Sequence, residues 1–318
     1  MRFEPFRLRK SRKPNQRYSV LDRKVMMSDK ANSILSKMDI KGGSPSDLEI
    51  YLFDLHGFLV LEGALSVAEV SALNRDIDAL LPLKPGEWRG YVHGHNFGDN
   101  DGLNLQQIYE GGESFERLID HPSWIEKVKY FVGGEGTFDY NHGPLFIDEC
   151  FANLRGPGEA IGLHSGGHAA AKRNQFFFQH GRFMVGQVNI LIALNNIGPG
   201  DGGTMVIPGS HKSNFEHPAI EKHRMHGEAA SVDGVDGAVE IHLKAGDALL
   251  FVDTISHGSA ERVNAGERRN IVYRYGPSWG YFRRGYGVSP ELLERLTPKR
   301  REIIMPHVPL PREPQRHD

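Results

Sequence analysis

From about residue 137 onward the chain is a succession of short apolar segments broken by Gly, Pro, Asn and Asp, and this rhythm constrains its fold most. "GPLFIDECFANLRGPG", "MVGQVNILIALNNIGPGDGG", "GTMVIPGSHK", "GAVEIHLKAGDALLFVD" and "RRNIVYRYGPSW" each read as strand followed by turn. Ile190, Leu191, Ile192, Ala193 and Leu194 run on without a polar residue, as a strand buried on both faces does. The 37 glycines suit a loop-rich β architecture better than a helical bundle. Helical signals come earlier. Ser66 and Glu69 have capping-box spacing, Val67, Val70, Leu73, Ile77 and Leu80 trace one apolar stripe, and Pro82 and Pro85 end it. A second helical stretch is predicted over 114–132, with Ser114 as cap and a break at Pro122. Between them, 86–112 reads as a Gly- and Asn-rich loop, and Phe58–Leu61 as a short strand after a turn at Gly57. The expected fold is therefore mainly β with flanking helices (α+β), a sandwich or jelly roll with helices on one side.

Three segments are expected: a basic arm over 1–45, a catalytic domain over 46–288, and a C-terminal helix with a proline-rich tail over 289–318. Up to position 40 there are eleven Lys/Arg against four Asp/Glu, which reads as a solvated tail rather than a docking arm. Met26 and Met27 leave open a later natural start. A net charge of −2 gives no global sign of a nucleic-acid polymer or a membrane surface. The single Cys150 excludes an internal disulfide framework and a cysteine-rich metal site. No apolar stretch approaches the roughly 18 residues of a membrane span, so a cytoplasmic enzyme is the default expectation; a homo-oligomer stays open.

Among 16 histidines, position must do the selecting. His164 follows the turn-rich "RGPGEAIGL", and His257 follows "GDALLFVDTIS", so both sit at the mouths of expected strands. Two neutral imidazoles suit iron(II) and leave positions open for other ligands. In Arg268-Arg269-Asn270-Ile271-Val272-Tyr273, alternation puts Arg268, Asn270 and Val272 on one face, assigned to the interior, with Arg269 outward. His164 and His168 have the i, i+4 spacing of a helical zinc pair, but "HSGGH" is a poor helix and lacks the glutamate of a zinc hydrolase.

"GLHSGGH", then "GQVNILIALNNIGPGDGGTMVIPGSHK", then "GDALLFVDTISHGSAERVNAGERRNIVYRY" resemble the phytanoyl-CoA dioxygenase family. The resemblance spans about residues 48–285 and is strongest from 160 to 275. It implies a double-stranded β-helix (a cupin-like jelly roll), with iron(II), 2-oxoglutarate and O2 as cofactors and co-substrate. His164 and His257 match the metal ligands, and Arg268, eleven residues after His257, matches the arginine that grips the distal carboxylate of 2-oxoglutarate. Gln187 is a further candidate for contacting 2-oxoglutarate.

Gly166 departs from that pattern. Two residues after the first histidine the family has Asp or Glu, and here the motif is His164-Ser165-Gly166. The substitution resembles the non-haem iron halogenases, in which chloride takes the carboxylate's place. The reading that follows is a halogenase chlorinating an unactivated carbon, with Gly166 as the chloride site. Competing readings are a hydroxylase on the same scaffold, a carboxylate brought in from Glu159, Asp148 or Glu149, and a non-catalytic binding protein. The segment "HAAAKRNQFFFQHGRF" is a candidate wall or lid, with His168, Arg173 and Phe177 as substrate contacts. Cations among aromatics fit a small anionic substrate with a flat ring, such as a nucleoside monophosphate. The alternative is that its phenylalanines are core and its charges solvated. "YVHGHNFGDNDGLNLQQ" is a second candidate wall, while His211 and the Asp201–Gly203 turn read as structural.

Overall fold

The computed structural model describes residues 42–133, 143–278, 280 and 287–305. The basic run before residue 42 and the proline-rich end after 305 lie outside the described residues. The chain enters through α1 (Asp47–His56) and β1 (Phe58–Leu61). Ser46 closes a capping box with Glu49 at the start of α1, and Gly57, at φ 84°, ends it. Leu48, Ile50 and Leu52 fall at alternate positions, a pattern from which no helix is expected. The cap and the left-handed glycine decide otherwise. Helix α2 (Val67–Leu80) has the expected capping box and buries Val70, Leu73, Ile77 and Leu80. Val67 is 84% exposed, because the first helical position lies off the stripe.

Residues 86–112 are not simply loop. They contain β2 (Trp88–Arg89), β3 (Val92–His95) and β4 (Leu103–Gln106), which extend the main sheet at one edge. Gly94 sits in β3 because a Cβ there would collide with the carbonyl of Lys84. The second helical stretch is two short pieces, α3 (Glu113–Glu116) and α4 (Ile125–Val132). Ser114 is inside α3 rather than capping it, and its hydroxyl donates to Asp76 at 2.6 Å.

The remaining strands are β5 (Leu145–Arg155), β6 (Phe176–Gln179), β7 (Arg182–Val185), β8 (Val188–Ala193), β9 (Thr204–Val206), β10 (Val239–Ile241), β11 (Ala248–Val252), β12 (His257–Ser259) and β13 (Arg268–Pro277). Short helices α5 (Ile220–His223), α6 (Pro290–Arg295) and α7 (Pro298–Ile304) complete the elements. Eight strands form one antiparallel sheet, β1-β11-β8-β13-β5-β4-β3-β2, and β10-β9-β12 form a smaller one. Side chains of both sheets line one cavity, so the two are the walls of a jelly roll.

Alternation along β13 divides the molecule. Ile271, Tyr273 and Tyr275 face the helical layer, where Tyr273 donates to the carbonyl of Phe115 and Trp124 donates to the Tyr275 hydroxyl. Burying each such side chain contributes on the order of 2 kcal/mol. Arg268, Asn270, Val272 and Arg274 face the other way, into the cavity. Register carries this face across the sheet in rows: Arg268 opposite Arg155, Asn270 opposite Asn153, Val272 between Leu191 and Phe151, and Arg274 between Asn189 and Glu149. The cavity wall thus grades from guanidinium to amide to apolar and back to charge.

Candidate active site

His164 lies just before the lid segment and His257 opens β12. Their backbones pair reciprocally, His164 N–H to His257 O at 2.9 Å and His257 N–H to His164 O at 3.0 Å. The pairing brings the two rings together at a 53° tilt, with centroids 4.1 Å apart. Nδ1 of His164 lies 2.9 Å from the Gly162 carbonyl, and Nδ1 of His257 lies 2.6 Å from the Ile255 carbonyl. A carbonyl only accepts, so both protons belong on Nδ1 and each Nε2 keeps its lone pair. Burial lowers the pKa of both rings, and for His257 the neighbouring His164 lowers it further. Both imidazoles are therefore neutral at pH 7 and fit to bind a transition metal.

The two histidines share a cavity of about 60 Å³ with Arg155, Arg268, Asn153, Asn270, Thr204 and Ser259. Arg268 is 2% exposed and donates to the Gly202 carbonyl at 2.7 Å. With the Asn270 amide turned so that its oxygen faces Arg268, that oxygen accepts from Nε at 2.9 Å and also from Nη2. Arg155, directly opposite, donates to the Asp101 carbonyl at 3.1 Å and the Ser259 hydroxyl at 2.7 Å. Burial pushes Arg155 down to about 10 and Arg268 well below the ordinary guanidinium range, with Arg155 and Arg262 adding repulsion at Arg268. Two like charges side by side in a buried wall are costly unless an anion joins them. Asn153 adds a buried side-chain oxygen with no hydrogen-bond partner. These residues fit a metal at one end of the cavity and a carboxylate at the other.

The sequence-based candidates divide. The structure brings His164, His257 and Arg268 into one cavity. Gly166, at φ 137°, is not in its lining; a Cβ there would lie 2.6 Å from Nδ1 and Cε1 of His168 and 3.0 Å from Oγ of Ser256. The space expected to be open beside Gly166 is filled by an imidazole. Arg173 donates to Asp253 at 3.1 Å, and Asp253 also accepts from Asn189 at 3.0 Å. Phe177 is 49% exposed on the β6–β7 hairpin and does not line the cavity. Its neighbours Phe176 and Phe183 pack against Phe53 instead, so much of the candidate lid is core. Gln187 is fully buried beside the site, its carbonyl accepting from Asp253 N–H, and it too is outside the cavity lining. Glu149 pairs with Arg274 at 3.0 Å and Glu159 accepts from Gly156 N–H at 2.6 Å. Among the described residues no three His, Cys, Asp or Glu side chains converge to hold a metal.

Arg155, Asn153 and Ser259 escaped the sequence reading. Alternation within "FANLR" puts Asn153 and Arg155 on one face, but only the register with β13 reveals that this is the face of Arg268. The loop before β4, part of the second candidate wall, supports them from behind: the Asp101 carbonyl accepts from both Arg155 and Asn153. His211 is structural as expected, buried with Nε2 3.1 Å from the Asp54 carbonyl.

Comparison with known proteins agrees with this architecture. A dioxygenase of Talaromyces verruculosus, cdmD, is 26% identical over 266 residues, covering 78% of this chain and 80% of its own. Dioxygenase aneA of Aspergillus aculeatus is 24% identical over 289 residues, 88% of each chain. HygX from Streptomyces hygroscopicus, solved with nickel and 2-oxoglutarate, superposes with a TM-score of 0.61 at 22% identity, covering 78% of this chain and 94% of its own. The family profile of phytanoyl-CoA dioxygenase (PhyH) matches residues 53–270, more than half of the sequence. The chain therefore belongs to the phytanoyl-CoA dioxygenase family and is an oxidoreductase of the iron- and 2-oxoglutarate-dependent dioxygenase type.

Proposed function

We propose that the chain oxidises an unactivated carbon of a small molecule, with iron(II) held by His164 and His257 and the distal carboxylate of 2-oxoglutarate held by Arg268. The observation that carries this reading is the pairing, in one cavity, of two neutral imidazoles with two buried guanidiniums whose hydrogen bonds include no carboxylate. Bound there, iron with 2-oxoglutarate would supply the O2-derived oxidant. Arg268, fixed by Gly202 and Asn270, presents a planar charged fork to a carboxylate. Arg155 and Ser259 flank it, and the apolar row of Leu191, Val272 and Phe151 excludes water between the two ends.

Oxygen transfer is the leading outcome, because the ring of His168 occupies the space beside Gly166. Chlorination is the second reading. Gly166 favours it, since glycine offers no carboxylate and no described carboxylate takes its place. Chloride would then be a further ligand at that position. A small-molecule substrate is in keeping with HygX, which has been solved with hygromycin B bound. A nucleotide substrate would rest on the cations and aromatics of 168–183, where Arg173 is already engaged by Asp253.

Anaerobically prepared protein given iron(II), 2-oxoglutarate, candidate substrates and then O2, with and without chloride, separates these readings by mass spectrometry. Succinate formation with a gain of one oxygen, independent of chloride, is expected. Chlorine in the product would replace oxygen transfer with chlorination. An absence of both iron binding and succinate would leave a non-catalytic binding protein.

A further inference from the structure

Gly166 is two residues from the ring that covers it. A Cβ on Gly166 would overlap Nδ1 and Cε1 of His168, so glycine here is what allows that imidazole to lie where a carboxylate side chain would be rooted. The loop is pinned around it: Gly167 N–H donates to the Ser210 carbonyl, Ala169 N–H to the Gly166 carbonyl, and the Ser256 hydroxyl to the Ser165 carbonyl. Among the described residues no carboxylate joins the two histidines in a cluster that could hold a metal. Asp253 is held by Arg173 and Asn189, and Glu149 by Arg274. The only ion-pair partner of His168 among the described residues is Glu216, 3.6 Å from Nε2 and itself 56% exposed, a contact easily given up.

We propose that His168 supplies the third protein ligand of the metal, so that a neutral nitrogen donor replaces the carboxylate absent at Gly166. The inference rests on the two-histidine site described above. His164 and His257 line the cavity, while the His168 ring lies over Gly166, outside that lining, so ligation requires its side chain to turn about χ1 and χ2 when the metal enters. A third imidazole keeps the donor set suited to iron(II). It also fills the position a halide would need.

The test is metal binding, read without turnover. Apo protein is titrated anaerobically with iron(II), and with nickel(II) as an air-stable probe, while X-ray absorption counts the imidazole nitrogens. Wild type should show three, and His168→Ala two, with affinity about 10- to 100-fold weaker. His168→Gln, which keeps most of the volume, should also lose affinity, and unchanged melting of either variant excludes a loss of fold. Added chloride should alter the nickel spectrum of His168→Ala and leave the wild type unaltered. Two imidazoles in the wild type, undiminished affinity in both variants, or a chloride-sensitive wild-type spectrum would each overturn the role of His168 while leaving the two-histidine site standing. A wild type that takes up no metal overturns both. If neither variant folds, the wild-type nitrogen count decides alone.

Discussion

Buried and half-buried histidines do two different jobs in this chain. His164 and His257 each commit Nδ1–H to a backbone carbonyl, which fixes the tautomer and leaves Nε2 as a donor atom. His211 commits Nε2–H to the Asp54 carbonyl and packs edge-on against Phe176, 4.5 Å between ring centroids, so its role is to join α1 to the lid hairpin. Burial pushes His211 from an ordinary value of 6.5 down to about 4. The folded pKa is thus below the unfolded one, and acid protonates the unfolded chain first. The stability associated with the neutral ring is present in full above about pH 6.5 and is lost as pH falls toward 4. Its size is on the order of 3 kcal/mol. Urea midpoints at pH 7 and pH 4.5 should therefore differ by less in His211→Gln than in the wild type. An equal difference in the two proteins would show that His211 does not titrate this way.

At the scale of elements, local signals worked where the chain caps or alternates and failed where neighbours decide. The capping box of Ser66 and Glu69 is legible in four residues, and the structure forms it, with the Ser66 N–H 2.8 Å from Glu69 Oε2 and the Glu69 N–H 3.3 Å from Ser66 Oγ. Ser66→Ala should cost about 1 kcal/mol by chemical denaturation, without moving the site. A null effect would mean that packing of Leu73 and Ile77 alone starts α2. Strands β2, β3 and β4 were not legible, because edge strands of two to four residues are held by backbone pairing to one another and, through β4, to β5 rather than by their own apolar pattern. Helix α1 was hidden for the opposite reason: its apolar residues alternate, yet Ser46 and Gly57 close a helix around them. The interior face of β13 followed from alternation alone, and Arg269 does turn outward, to Asp78 and Glu267. The partner of Arg268 did not follow, because Arg155 is 113 residues away in sequence and meets it only through antiparallel register.

The whole molecule is a jelly roll in which His164 pairs with His257 along the edge of the smaller wall, with helices packed behind the larger wall. Among the described residues no helix is long and apolar enough to cross a membrane. The family and its fold were legible because three motifs occur in the right order along the chain. What lies beside Gly166 was not, because a sequence shows a missing side chain but not which neighbour fills its place. The long grading of the cavity wall, guanidinium pair to apolar row to charged rim, belongs to the assembled sheet and to no single segment. It makes a specific demand: a dicarboxylate should bind with one end at the metal and the other at Arg268. The most direct test is anaerobic calorimetric titration of 2-oxoglutarate into iron(II)-loaded wild type, metal-free wild type and iron(II)-loaded Arg268→Ala. The account predicts saturable binding that requires the metal and weakens by about 10- to 100-fold in Arg268→Ala. Equal affinity in all three would contradict it.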